Sequence, residues 1–308
     1  MTTQPDRARA QWLRRLATRR RDRVGLVLSG GGPLGALQVG ALKALFEYGV
    51  RPDVVTGTSV GALNATFIAF NPTLEGVAGL EEVWRSLRED DLFPGGRFRA
   101  SWARMFVRGN RVFENSGLQK LIASRLGIDA RIEDAAIPLG IVTTDVETGE
   151  EKVWTAGEAM RPLLASSAMP GVFPPVEYEG RTYIDGGVSN NVPIAPAVEM
   201  GAKTLWVINS TSHSNQRRPL LRPMDYFFHA FTLARAQRLG LDLKHYGERV
   251  RIVVVPPAPL DFFVPFASME HSPELIDRSY RHTRKFLAGQ LEEAPLPPAP
   301  VEDIAPAK

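Results

Sequence analysis

The group in this sequence best placed for covalent chemistry is Ser59, held in Gly57-Thr58-Ser59-Val60-Gly61. An apolar run, Asp53-Val54-Val55-Thr56, precedes it, and the helix-forming stretch Ala62-Leu63-Asn64-Ala65-Thr66-Phe67-Ile68-Ala69 follows. Strand, G-x-S-x-G and helix in that order read as a sharp turn that lifts the serine hydroxyl above a sheet edge. Gly57 and Gly61 suit such a turn, because a strained backbone beside a nucleophile leaves no room for side chains. A serine hydroxyl also needs a base. The five histidines, His213, His229, His245, His271 and His282, all fall in the last third, and none sits in a glycine-framed turn. Asp185 does: it ends a short strand and runs into Gly186-Gly187, with Asn190, Asn191 and Pro193 forming a rigid polar loop after it. The turn is expected to expose its carboxylate.

A second glycine cluster, Ser29-Gly30-Gly31-Gly32-Pro33-Leu34-Gly35, follows the apolar run Val24–Leu28. Gly30-x-Gly32-x-x-Gly35 between a strand and a helix matches a dinucleotide fingerprint letter for letter. That reading needs an acidic residue closing the second strand to hold a ribose, whereas Asp53 opens that strand and Thr56 closes it. A phosphate loop is excluded as well, since no Gly-Lys-Ser/Thr follows. What remains is a run of backbone N–H groups at a helix start, where partial positive charge gathers. Beside a serine nucleophile such a run is an oxyanion hole, worth about 3–4 kcal/mol of transition-state stabilisation per good donor.

Taken in order, Gly30-Gly31-Gly32-Pro33-Leu34-Gly35, Gly57-Thr58-Ser59-Val60-Gly61, Ala165-Ser166-Ser167-Ala168-Met169-Pro170 and Asp185-Gly186-Gly187 resemble the patatin-like phospholipase family. The resemblance runs from about residue 24 to 209 and continues more weakly to about 290. It implies a three-layer α/β/α sandwich with a mainly parallel central sheet. It also implies a histidine-free Ser–Asp dyad that cleaves carboxylic esters of lipids as a phospholipase A, lysophospholipase or lipid esterase, without metal or cofactor. On that likeness Ser59 is the nucleophile, set in an elbow framed by Gly57 and Gly61. Asp185 is the base, in a proton-acceptor motif with Gly186 and Gly187, and Gly30, Gly31, Gly32 and Gly35 form the oxyanion hole. One position departs: the family usually carries Arg or Lys just before the last glycine of the loop, where this chain has Leu34. Two alternatives stay open. One is a hydrolase with a Ser–Asp–His triad, for which His213 and His271, in loops, are the candidates. The other is a catalytically silent lipid-binding module.

The elements that must position these groups are legible from hydrophobic period and punctuation. Strands are expected at 24–28, 53–56, 138–144, 151–154, around Glu179-Gly180-Arg181, and at 204–209 and 250–255. Helices are expected at 36–48, from 62 to about 71, and at 74–88, 115–125, 158–166, 194–200, 223–246 and 272–290. Gly49 should stop the first helix and Asn115 should cap the fourth. The β-α-β-α opening argues a parallel sheet covered on both faces. The stretch 89–110, with Phe93, Phe98, Trp102 and Phe106, reads as a packed loop or an access lid. The stretch 256–269, with Phe262, Phe263, Val264 and Phe266, reads as a core loop or a membrane-touching one.

With 308 residues, 44% hydrophobic and 23% charged, the chain has material for one large core. The absence of cysteine excludes disulfides and thiolate metal sites and points to a reducing, cytoplasmic setting. The net charge of +3 conceals an asymmetry. Residues 1–23 hold eight arginines against Asp6 and Asp22, a balance of +6 that leaves about −3 for the rest. A twin-arginine export signal is rejected, because Val24–Leu28 is too short an apolar region and leads straight into the glycine loop. This leader reads as a solvated basic segment, or as an arm drawn to anionic membrane with Trp12, Leu13 and Leu16 as apolar contacts. The expected organisation is thus a leader over 1–23, a hydrolase domain over 24–291 and a disordered Pro/Ala-rich tail over 292–308. The expected partners are a lipid or ester substrate and peripheral membrane contact, with no nucleic acid.

Overall fold

The computed structural model describes residues 22–93, 113–210, 223–265 and 268–289. At its centre is β1 (Val24–Leu28), paired in parallel with β2 (Val54–Thr58) on one edge and β7 (Thr204–Ile208) on the other. β3 (Leu139–Asp145) extends the parallel sheet beyond β2, and β8 (Arg251–Val254) extends it beyond β7. β1, β2, β3 and β7 are buried along nearly their whole length because helices cover both faces. In β1, Leu26 and Leu28 enter one apolar cluster while Val27 enters the other.

The antiparallel part begins at β3, whose hairpin partner is β4 (Glu151–Trp154). A further hairpin, β5 (Val176–Tyr178) and β6 (Arg181–Asp185), joins β3 through β6. β4 overlaps both other partners along β3, so β2 and β6 share the opposite edge, one after the other. Val142 faces Thr58 of β2, and the next residue, Thr143, faces Asp185 of β6. The end of β6 is thereby delivered just beyond the end of β2.

On one face lie α1 (Gly35–Tyr48), α2 (Val60–Phe70), α3 (Leu74–Ser86) and α9 (Ser272–Leu287). Helix α1 runs between the sheet and α9 and is buried almost all round, so it lacks the single apolar stripe of a surface helix. Gly49 stops it in the left-handed conformation, φ 98°. Phe46 is wholly buried in this layer; truncating such a ring to Ala costs about 3–5 kcal/mol. The other face carries α7 (Ile194–Glu199) and α8 (Pro223–Gly247), with Ile194, Leu239 and Leu243 over Val27 and Val207. Two shorter connections, α5 (Ser116–Leu126) and α6 (Met160–Ser166), lead to the hairpins. The fold is the expected mixed α/β sandwich with a mainly parallel sheet.

Some details differ from the expectation. Glu89–Leu92 is a short helix, α4, rather than irregular chain; Phe93 just after it stacks on Phe173 with centroids 5.5 Å apart. Asn115 holds the N-cap position of α5, yet its side chain makes no capping bond. In the stretch 256–269, Ala258 and Met269 are buried and Leu260, Phe262 and Val264 pack half-buried against the core, whereas Pro259, Asp261, Phe263 and Pro265 are exposed. Arg23, counted with the leader, is bound into the domain: its carbonyl accepts from Lys203 and Thr204, and its Nη1 donates to Met200 O at 3.0 Å. Trp12, Leu13, Leu16, Phe98, Trp102, Phe106, His213, Phe266 and the tail over 292–308 lie outside the described residues.

Candidate active site

Ser59 stands between β2 and α2 with φ 55° and ψ −128°, left-handed backbone that non-glycine residues rarely adopt. Such a conformation costs on the order of 1–3 kcal/mol and persists only where neighbours impose it. Here Ser166, closing α6, accepts from the Ser59 N–H at 2.8 Å and donates its own hydroxyl to Val142 O at 2.6 Å. A side chain at Gly61 would strike the carbonyls of Leu28 and Ser29, and one at Gly57 would strike the carbonyl of Gly61. The two elbow glycines are therefore required by the close crossing of β1, β2 and α2. Sequence reading placed Ser166 in a motif without giving it a role; its acceptor position opposite an elbow N–H emerges only from the fold.

The Ser59 hydroxyl donates to Asp185 Oδ2 at 2.7 Å, and Oδ1 of the same carboxylate accepts from the Gly187 N–H at 2.7 Å. The expectation that the Asp-Gly-Gly turn exposes its acid is overturned: Asp185 is only 3% exposed. The reason is the strand succession along β3, which tucks the end of β6 against β2 and under α8. Burial pushes the Asp185 carboxyl above its ordinary value, opposed by the nearby Arg235 charge and by the hydrogen bonds from Ser59 and Gly187. Gly186 starts the short 3-10 turn that follows, and Ser189 and Asn190 both donate from their backbone to its carbonyl.

The four glycines proposed as oxyanion donors divide into two pairs. The Gly30 N–H donates to Asn191 O at 3.1 Å, and the Gly35 N–H turns back to the carbonyls of Gly32 and Pro33. Gly31 and Gly32 donate to no described residue, and both border the cavity that holds Ser59. The loop is held from below by buried polar groups. Gln38 on α1 donates to Ser29 O at 2.7 Å and to Ser210 Oγ at 2.9 Å, and Ser29 Oγ accepts from the Ser210 N–H. Asn64 on α2 donates to Gln38 Oε1 and accepts from Trp84 Nε1 on α3, which links the loop to three helices. Leu34 does not border the cavity; it packs, half-buried, against the core.

The cavity has a volume of about 270 Å³ and is mainly apolar, with Leu63, Phe67, Trp84, Phe93, Leu121 and Phe173 in its wall. Ser167 also lines it, its hydroxyl buried and without a hydrogen-bond partner among the described residues. Among the described residues no histidine lines it. His229 and His245 are in α8, His282 is in α9, and His271 lies against Phe262 at the start of α9. Arg235, on α8, enters the cavity wall beside Asp185. Nothing in the sequence marks it, since an arginine within a 25-residue helix reads as a surface cation.

The family profile "Patatin-like phospholipase" matches residues 26–198, more than half of the chain. Mouse patatin-like phospholipase domain-containing protein 7 is 32% identical over 200 residues, which is 60% of this chain and 13% of that protein. Lysophospholipase NTE1 of Eremothecium gossypii is 28% identical over 211 residues, 66% of this chain and 12% of the relative. The chain thus corresponds to about an eighth of the length of these curated relatives. Among solved structures, VipD from Legionella pneumophila superposes with a TM-score of 0.49 at 13% identity, covering 87% of this chain and 67% of that one.

Proposed function

We propose that this chain, which belongs to the patatin-like phospholipase family, hydrolyses acyl esters of lipids through a Ser59–Asp185 dyad. The observation that carries the reading is the 2.7 Å hydrogen bond from an elbow serine to a buried carboxylate that is itself held by the Gly187 N–H. Asp185 takes the Ser59 proton as Oγ attacks the ester carbonyl carbon, and the carbonyl oxygen becomes an oxyanion. Gly31 and Gly32 supply N–H groups toward it from the cavity rim. Collapse of the tetrahedral intermediate breaks the carbon–oxygen bond to the leaving group, which takes the proton back from Asp185. The acyl-enzyme is then attacked by water; Asp185 receives the water proton and returns it to Ser59 as the fatty acid leaves. The apolar cavity beside Ser59 suits an acyl chain. The reaction as derived uses no metal or cofactor, and the arginine-rich leader adds peripheral contact with anionic membrane.

The deciding experiment measures fatty-acid release from phospholipids, lysophospholipids and short p-nitrophenyl esters, together with labelling by a fluorophosphonate probe. The wild-type protein should release acid and carry one label on Ser59. Ser59→Ala should lose the label and fall below about 1% of the activity while staying folded. A wild-type protein that binds lipid but is neither labelled nor active is a binding module, and the hydrolase reading then fails.

A further inference from the structure

The proposed ester chemistry leaves two charged side chains of the cavity wall unused: Arg125, exposed on α5, and Arg235, beside Asp185. Arg235 is anchored at two points: its Nε donates to Gly187 O at 2.8 Å, and its guanidinium lies over the Phe231 ring, 4.0 Å from the centroid. Nη1 and Nη2 donate to no described residue. Both oxygens of the neighbouring Asp185 are taken, one by Ser59 and one by Gly187, and no described carboxylate lies within ion-pair distance of the guanidinium. A half-buried cation without a carboxylate partner is costly, and burial does work against the charge of this one. The close approach is built in, because a side chain at Gly187 would collide with Nη2 and sit 3.0 Å from Asp185 Oδ1. Its two anchors orient the guanidinium plane, and a fixed fork of N–H donors matches the oxygens of a phosphate.

The placement also bears on Leu34. A cation in the glycine loop is missing, and Leu34 is turned into the core instead of the cavity. Arg235 supplies a positive charge to the same cavity from α8. The mainly apolar wall also carries Asn64 and the buried, unpaired Ser167 hydroxyl.

We propose that Arg235 forms an anion subsite that receives the phosphate group on the leaving side of the substrate while the acyl chain fills the apolar wall. The inference rests on the hydrolase reading above and narrows its substrates to acyl esters that carry a phosphate near the scissile bond, the chemistry of lysophospholipids.

The test uses unreactive probes against turnover of an uncharged p-nitrophenyl ester: dodecyl phosphate, dodecanol and inorganic phosphate. Dodecyl phosphate should inhibit the wild-type protein at least tenfold more strongly than dodecanol. In Arg235→Gln the two should come within about twofold, and Arg235→Lys should be intermediate. Because each variant is judged by a ratio of two inhibitors, any common effect of Arg235 on turnover cancels. Equal inhibition by dodecyl phosphate and dodecanol in the wild type overturns the subsite without need of a variant. An unchanged ratio in Arg235→Gln does so too. Inorganic phosphate that inhibits as well as dodecyl phosphate would show a site for free phosphate and overturn the assignment to a lipid headgroup. Should the wild-type protein cleave no ester, the hydrolase reading fails by itself, and calorimetric titration of the same three compounds still decides the subsite.

Discussion

At the scale of single residues, the proposed Ser59–Asp185 dyad trades stability for reactivity. Asp185 is held above its ordinary carboxyl value, chiefly by burial. Its protonated form is the one the fold prefers, so its stabilising contribution is complete below the unfolded value, near 3.9, and is lost as pH rises through the raised folded value. At pH 7, well above that unfolded value, it is a net liability to the fold. Asp185→Asn, which can still accept from Gly187 and meet Ser59, should therefore abolish ester hydrolysis while raising Tm at pH 7. The gain is about 2–4 °C per kcal/mol recovered in a chain of this size, and should shrink toward zero near pH 4. A lower Tm at pH 7 contradicts this account of the site. On the proposed mechanism the same shift sets the rate: kcat/KM should fall with acid through a value above the ordinary carboxyl range, as Asp185 becomes protonated. Ser166→Ala removes the acceptor of the Ser59 N–H and should lower kcat about 10–100-fold with little change in KM, since it disturbs the nucleophile's aim and leaves the cavity intact. Ser59 and Asp185 were legible because each lies in a glycine-framed turn. The burial of Asp185 and the arrival of Arg235 were not, because both depend on which strand lies beside β3 and which helix covers it.

At the scale of elements, the decisive feature is the edge of β3, where β2 ends and β6 continues. Hydrophobic period revealed each of these strands, but not their order, since an antiparallel hairpin inserted beside a parallel strand leaves no mark on composition. The same limit hid the polar chain beneath the glycine loop. Gln38, Asn64 and Ser29 occur in stretches that read as apolar helix and turn, and they meet only when α1, α2 and α3 pack. The chain is complete in its hydrogen bonds from Ser29 through Gln38 and Asn64 to Trp84. Breaking it in the middle strands two buried partners at once. Asn64→Leu leaves Gln38 Oε1 and Trp84 Nε1 without their bonds, at about 1–3 kcal/mol each. Chemical denaturation should show a loss of roughly 2–6 kcal/mol, and a double-mutant cycle with Trp84→Phe should recover part of it. Strict additivity of the two substitutions would mean that the chain is not a unit.

At the scale of the whole molecule, charge and fold are separated along the chain. Seven of the eight leader arginines precede residue 22, while Arg23 is committed to β7 and the end of α7. The remainder of the chain carries a slight negative balance, so it offers an anionic surface no general attraction. No described helix is long and apolar enough to cross a membrane, and access to lipid by this protein is proposed to rest on the leader. Each basic side chain near an anionic leaflet contributes about 1 kcal/mol, and the attraction decays over a screening length of about 10 Å at 0.1 M salt and 3 Å at 1 M. Seven such charges give a steep salt dependence that a purely apolar contact cannot imitate. The full-length protein should sediment with phosphatidylglycerol vesicles at 0.05 M salt, leave them at 0.5 M, and ignore phosphatidylcholine vesicles at both. A full-length variant with Arg7, Arg9, Arg14, Arg15, Arg19, Arg20 and Arg21 changed to Gln, and an unaltered Tm, should stay in the supernatant throughout. Equal sedimentation of the two proteins at low salt would make the leader a bystander and move the membrane contact to the folded domain.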